Sequence, residues 1–251
     1  PHTYRRKGEK TLTNLNFSGY FNGDFANNLA FAVSRSENPA EFYLLYALAI
    51  MIGYFSGGLL FAYFVPKVIK HVDITKASED HNPGTFNAFK YGGFWCGIIA
   101  LILELFKGFA PVYAASKFVD PSSALFIPVL LAPVLGHAYS PFFGLKKGGK
   151  CIAVSFGVLL GSPAHLLPAL VLAIIFIAFS IIIVINPNSL RTAAAFLLWS
   201  VSVFFLQKPI SVSISCVAVS VLVISKLTTE LNAIFAKTEP SEIHFMFCKK
   251  K

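Results

Sequence analysis

A short basic loop with the sequence KKGGK has the composition of an anion-binding site. Lys146, Lys147 and Lys150 supply positive charge, while Gly148 and Gly149 allow a ligand to come close to the backbone N–H groups. The loop lies between two long apolar stretches, at the entrance to the second of them. Backbone amides beside clustered ammonium groups suit a phosphate, so we expect this loop to bind one.

A second polar segment, residues 73–90, has the sequence DITKASEDHNPGTFNAFK. Asn82, Gly84 and Asn87 combine two side-chain amides with a glycine, and a loop of this kind can direct several donors towards one anion or polyol. The same spacing also suits a helix-capping turn in which Asn82 is the N-cap residue before Pro83. The spacing alone leaves both interpretations open.

Three ionisable residues lie inside apolar segments. Glu104 and Lys107 fall on one face of a predicted helix, and such a pair in a membrane span should face the protein interior or a polar cavity. Alternatively, Lys107 snorkels to the membrane surface. His137 precedes the basic loop and is either a buried hydrogen-bonding residue or a proton-transfer group. The other histidines and the four cysteines lack metal-ligand spacing, so we expect no metal site.

The composition indicates which elements position these residues. Of the 251 residues, 55% are hydrophobic and only 13% are charged, whereas soluble domains are roughly 45–50% apolar. A helix needs about 20 apolar residues to cross the hydrocarbon, and the stretch 151–190 contains no Asp, Glu, Lys or Arg over twice that length. We therefore expect it to fold back near residues 161–163. The sequence predicts an all-α polytopic membrane protein with about seven transmembrane helices, at 43–65, 94–115, 121–139, 151–160, 166–185, 191–206 and 209–227.

The spans divide the chain into three regions. These are a polar N-terminal tail at residues 1–41, whose role the sequence does not indicate, a membrane domain at 42–236 and a basic C-terminal tail at 237–251. With an odd number of spans, the basic loop at 66–91, the loop after Tyr139 and the C-terminus share one face, which the positive-inside rule assigns to the cytoplasm. Anionic lipid headgroups account for the net charge of +9, so we expect membrane lipids and no nucleic acid as partners.

The order of these motifs resembles that of the PlsY family of bacterial acyl-phosphate:glycerol-3-phosphate acyltransferases. DI precedes NPG and Asn87, then KG follows at Lys107, GH at His137 and GGK at Lys150. The resemblance covers residues 57–161. It implies an enzyme of the bacterial inner membrane that transfers a fatty acyl group from acyl phosphate to glycerol 3-phosphate. Phosphate would be released, the active site would face the cytoplasm, and no cofactor would be needed.

The resemblance also implies a set of site residues. Lys150 would cradle a phosphate, and Lys90 stands where the family usually has arginine, which keeps the charge but loses the bidentate fork. Since acyl phosphate is already activated, the main task is to hold two anions together and to support charge on the carbonyl oxygen. The implied catalytic residues are Lys150, His137 and Lys107, and the implied substrate-binding residues are Asn82, Gly84, Asn87, Lys90, Glu104, Gly148 and Gly149.

A proton must leave the attacking hydroxyl, and either His137 or a substrate phosphate oxygen could take it. No histidine–acid pair is evident in the sequence, so we expect the phosphate to do so. The alternative function is that of a small permease or channel for an anionic solute. That interpretation predicts charges throughout the membrane depth, whereas here they collect at one face.

Two departures from the family pattern concern the acceptor. The lead-in SEDHN places Glu79, Asp80 and His81 where the family has flexible glycines. The C-terminal motif of the family, HRxNIxRL, is not recognisable at 231–239. Negative charge beside a phosphate site is unexpected, because it repels the anion.

Overall fold

The computed structural model describes residues 38–145, 148–206, 209–236 and 242–243. The predicted N-terminal tail up to residue 37, most of the C-terminal tail, and Lys146 and Lys147 of the basic loop lie outside these ranges. The helices are α1 (Pro39–Gly58), α2 (Phe61–Lys70), α3 (Ile74–Ala77), α4 (Thr85–Gly92), α5 (Phe94–Ala115), α6 (Phe126–Ala138), α7 (Ile152–Leu160), α8 (Leu166–Ile177), α9 (Asn188–Leu206) and α10 (Ile210–Phe235).

Within the described ranges, six segments are long and apolar enough to cross a membrane by length and composition. They carry many exposed leucine, isoleucine and phenylalanine side chains, such as Ile102, Leu170 and Phe205, as expected of helices that face lipid. These features confirm the predicted helical membrane protein. The six segments are Pro39–Gly58, Phe94–Ala115, Phe126–Phe143, Pro163–Ile182, Asn188–Leu206 and Ile210–Phe235.

The predicted span at 151–160 is the short helix α7. Lys150, just before α7, contacts Glu230 near the end of α10, whereas His165, just after it, hydrogen bonds to Ser215 near the start of α10. Along an α-helix those two α10 residues lie about 22 Å apart. The chain therefore passes through most of the membrane here although α7 is short, which agrees with about seven passes.

The first predicted span, 43–65, is interrupted after Gly58, where α1 ends and α2 soon begins. Helix α1 packs closely on α6 in this region, and a Cβ atom at Gly136 would lie only 1.9 Å from the carbonyl oxygen of Tyr54. Hydropathy does not register a break of this kind, because the residues on both sides of it are apolar. The break leaves backbone groups that other elements must satisfy.

The hydrophobic core lies mainly between α6, α7, α9 and α10. Trp199, Phe126 and Phe196 are its largest fully buried side chains, and the indole of Trp199 donates to the carbonyl oxygen of Pro168 at 2.8 Å. A two-residue strand before α9, β1 (Ile185–Asn186), pairs antiparallel with β2 (Glu242–Ile243). This pairing brings a segment of the C-terminal region beside the start of α9.

Candidate active site

Two adjoining cavities open at the end of the helix bundle where α4, α9 and the C-terminal end of α10 meet. The inner cavity has a volume of about 320 Å³, and the outer cavity has a volume of about 740 Å³. Several polar residues line both, so the cavities form one continuous site. The shared lining residues are Asp80, Asn82, Phe86, Asn87, Lys150 and Asn188.

Lys150 lies at the junction of the cavities and pairs with two carboxylates. Its Nζ atom is 2.9 Å from Asp80 Oδ2 and 2.8 Å from Glu230 Oε1. Burial opposes ionisation of Asp80, but hydrogen bonds from Lys150 and Asn87 outweigh it and lower its pKa. Burial likewise opposes the charge on Lys150, but Glu230 and Asp80 outweigh it and raise its pKa. Asp80 and Lys150 are therefore charged at neutral pH, and an anion that binds Lys150 must compete with its two carboxylate partners.

The amides of the NPG segment are also part of this site. Asn87 is buried, and its Nδ2 atom donates to Asp80 Oδ1 and to the carbonyl oxygen of Asn82, both at 2.8 Å. Helix α4 begins at Thr85 with Gly84 as its N-cap residue. Asn82 is therefore not the helix cap, and it lines both cavities instead.

The glycines of the basic loop pack against the end of α6. The backbone N–H of Gly149 donates to the carbonyl oxygen of His137 at 3.2 Å, and a Cβ atom at Gly149 would lie 2.2 Å from His137 Nε2. Gly148 comes equally close, since its Cβ would lie 2.2 Å from the carbonyl oxygen of Ala138. The absence of side chains here lets the loop lie directly over the imidazole, at the edge of the outer cavity.

Behind this loop, Glu104, Lys107 and His137 form a buried network. Lys107 Nζ lies 2.6 Å from Glu104 Oε2 and 2.8 Å from His137 Nδ1, and it also donates to the carbonyl oxygen of Leu59. Lys107 thus has one ion-pair partner and two hydrogen-bond partners. Since Lys107 donates to Nδ1, hydrogen bonding assigns the imidazole proton to Nε2, which faces Gly149.

Glu104 Oε2 lies 3.2 Å from His137 Nδ1, so a carboxylate lies beside the imidazole, a proximity that the sequence did not reveal. The structure corrects that expectation. The structure also excludes the alternative in which Lys107 snorkels to the membrane surface. Both side chains of the Glu104–Lys107 pair are only 1% exposed.

The same network satisfies the break between α1 and α2. Glu104 Oε1 accepts a hydrogen bond from the backbone N–H of Ala62 at 3.1 Å, Lys107 binds the carbonyl oxygen of Leu59, and Ser140 Oγ donates to that of Gly58 at 2.7 Å. Glu104 and His137 line the inner cavity, whereas Lys107 lines neither cavity. Lys107, which the resemblance implied as a catalytic residue, therefore lies behind His137 and not at the cavity surface.

Lys90 lines only the outer cavity. The site also contains residues that the sequence interpretation did not place there. At the start of α9, Asn188 lines both cavities and Arg191 lines the inner one, and near the end of α10, Lys226 and Glu230 line the outer one. In the sequence interpretation, Arg191 was the first residue of the predicted span 191–206 and had no role in the site. The available signal was its position among the polar residues of the segment NPNSLR, directly after a long charge-free stretch.

Comparison with known proteins gives consistent matches. The family model described as glycerol-3-phosphate acyltransferase matches residues 47–237. The glycerol-3-phosphate acyltransferase of Fusobacterium nucleatum is 31% identical over 190 residues, covering 76% of this chain and 94% of the relative. That of Endomicrobium trichonymphae is 32% identical over 197 residues, covering 78% and 95%.

Two solved structures have a similar fold. Both are of PlsY, an integral membrane glycerol 3-phosphate acyltransferase, in its glycerol 3-phosphate form and its lysophosphatidic acid form. The TM-scores are 0.65 and 0.64, and the sequence identity is 27% in each case. The matches cover 78% of this chain and 95% and 94% of the two solved chains.

Proposed function

Because this chain belongs to the glycerol-3-phosphate acyltransferase family, as an integral membrane enzyme of phospholipid synthesis that transfers an acyl group to glycerol 3-phosphate, we propose that acyl phosphate is its donor. The form of the paired cavities carries this proposal. The inner cavity combines an apolar wall with charged groups, and the outer cavity is lined mainly by polar residues. The family assignment replaces the interpretation as a permease or channel.

Each cavity suits one substrate. Leu101, Leu105, Ile152 and Phe156 of the inner cavity can pack against a fatty acyl chain. The outer cavity, which contains Lys90 and offers amide and hydroxyl groups, suits the small, hydrophilic glycerol 3-phosphate. The two reacting groups would meet at the junction, beside Lys150.

The reaction then requires no covalent enzyme intermediate. The 1-hydroxyl oxygen of glycerol 3-phosphate attacks the acyl carbon, and the bond from that carbon to the phosphate oxygen breaks. Lys150 and the N–H groups of the glycine loop would offset the charge of the two anions and orient them. This gives 1-acylglycerol 3-phosphate and inorganic phosphate.

The hydrogen bonding of His137 bears on where the hydroxyl proton goes. In the tautomer whose Nδ1 accepts from Lys107, Nε2 carries the imidazole proton, so the ring faces the site as a donor. A donor can stabilise negative charge on a substrate oxygen but cannot accept the proton. This supports a substrate phosphate oxygen as the proton acceptor.

The donor is tested with the purified protein in lipid nanodiscs. We expect 1-palmitoylglycerol 3-phosphate to form when palmitoyl phosphate and glycerol 3-phosphate are supplied together. Palmitoyl coenzyme A at the same concentration should give no product, since its thioester places no phosphate directly on the acyl carbon for the cations of the site to hold. Mass spectrometry of the extracted lipids measures both rates. Equal rates with the two donors would contradict the proposal.

We also propose that the protein lies in the bacterial inner membrane with this site at the cytoplasmic face. The positive-inside rule supports this placement, because basic residues from the loop at 66–91, such as Lys76 and Lys90, lie at the same end of the bundle as Lys150. A cysteine introduced at Lys76 should resist a membrane-impermeant maleimide in intact spheroplasts and react after lysis. Labelling before lysis would show that this site faces the periplasm and would contradict the proposed orientation.

A further inference from the structure

Arg191 reaches into the inner cavity from the start of α9 and carries unused hydrogen-bonding capacity. Its Nη2 atom donates to Asn188 Oδ1, and its guanidinium carbon lies 6.0 Å from the centre of the Phe176 ring. Its Nε atom is buried and has no hydrogen-bond partner within the described ranges. A guanidinium has five N–H donors. Within the described ranges the one hydrogen bond of this guanidinium is that from Nη2 to Asn188, so donors remain for an anion in the cavity.

The other cations near the site are placed differently. Lys150 is paired with two carboxylates, and Lys107 has one ion-pair partner and two hydrogen-bond partners. Lys90 and Lys226 line only the outer cavity. Among the residues that the structure describes, Arg191 is thus the cation that lines the inner cavity and forms no ion pair.

We propose that Arg191, held by Asn188 and Phe176, binds the phosphate group of the acyl donor. This inference rests on the proposed function and assigns the donor headgroup to a specific residue. A guanidinium presents a planar set of donors that matches phosphate oxygens in pairs, which a lysine cannot do. The hydrogen bond to Asn188 and the ring of Phe176 would fix its orientation before the donor binds.

The surroundings of Arg191 indicate which of the two anionic substrates it binds. Phe156, Ile152 and Leu105 line the same cavity, so an anion that fills the space must also have an apolar part. Acyl phosphate has both parts, whereas glycerol 3-phosphate has no apolar chain.

Steady-state kinetics of Arg191→Gln and Arg191→Lys test this assignment. We expect R191Q to raise the KM for palmitoyl phosphate at least about tenfold while the KM for glycerol 3-phosphate stays within about twofold. R191K should lie between R191Q and the wild type, because it keeps the charge and loses the fork. Lys117→Gln is the matched control, since Lys117 is exposed, rests on the Tyr113 ring and lines neither cavity.

A binding measurement separates this inference from the donor proposal. Hexadecylphosphonate, which cannot transfer its chain, should bind to the wild type and to K117Q, and at least about tenfold more weakly to R191Q. Equal binding to all three folded proteins would overturn the inference. The donor proposal would fail on a different result, which is that the wild type does not turn over palmitoyl phosphate at all.

Lysophosphatidic acid has the same combination of phosphate and acyl chain, so product inhibition must be measured as well. If R191Q weakened inhibition by 1-palmitoylglycerol 3-phosphate but left the KM for palmitoyl phosphate unchanged, the assignment to the donor would be wrong. A raised donor KM, with a thermal unfolding midpoint near that of the wild type, would support it.

Discussion

Replacing Lys150 with methionine is expected to lower kcat/KM by about 10³-fold, which corresponds to about 4 kcal/mol in the activation barrier. The substitution keeps most of the length of the side chain but removes the cation at the junction of the two cavities. It also leaves Asp80 and Glu230 without the ammonium group that both of them contact. Two unpaired carboxylates would then repel the phosphates of both substrates. Product formation from palmitoyl phosphate and glycerol 3-phosphate measures the loss.

Two comparisons make this prediction specific. His137→Ala should lower turnover only about five- to tenfold, because it removes one hydrogen-bond donor worth about 1 kcal/mol and not the proton acceptor. Adding Glu230→Gln to Lys150→Met should recover part of the activity, since it removes one of the repelling charges. Lys117→Met should behave like the wild type. Loss of turnover in His137→Ala together with an active Lys150→Met would refute the assignment.

Replacing Glu104 with glutamine is expected to destabilise the protein by about 3–5 kcal/mol, the usual cost of removing one partner of a buried ion pair. The amide can still accept from the backbone N–H of Ala62, but the Lys107 ammonium would remain buried without its counter-ion. The link across the break between α1 and α2 would weaken with it. Thermal unfolding in detergent, followed by circular dichroism, measures the change.

The double variant Glu104→Gln with Lys107→Met should recover most of the lost stability, because it removes the unpaired charge as well. Glu230→Gln is the matched control for the same chemical change. Its carboxylate is 30% exposed, so we expect an effect below about 1 kcal/mol on unfolding. If Glu104→Gln unfolded at the same midpoint as this control, Glu104 and Lys107 would not form the buried pair described above.

The sequence predicted most of the membrane architecture because a charge-free stretch of about 20 residues has the length and composition of a transmembrane helix. The charge-free stretch after Lys150 correctly indicated two helical segments joined near residues 161–163, and the second of them is long enough to span a membrane. The break after Gly58 could not be predicted, since it depends on backbone groups that Glu104, Lys107 and Ser140 satisfy from distant parts of the chain. Local hydropathy contains no information about those contacts.

The site was predicted in part, for a similar reason. The interpretation named Asn82 and Asn87 of one segment and the distant Lys150, and the structure brings all three together. It found negative charge in the lead-in loop unexpected, whereas Asp80 is an ion-pair partner of Lys150. Glu230 and Arg191 come from helices beyond the resemblance at residues 57–161, so only the three-dimensional arrangement connects them with the loop.

The stoichiometry of the reaction tests this account most directly. Purified protein in nanodiscs would receive palmitoyl phosphate with and without glycerol 3-phosphate, and inorganic phosphate and 1-palmitoylglycerol 3-phosphate would be measured in the same samples. The account predicts one lipid product for each phosphate released, and neither when the acceptor is omitted. Phosphate released at the same rate without glycerol 3-phosphate would instead identify a hydrolase and contradict the assignment of the two cavities to two substrates.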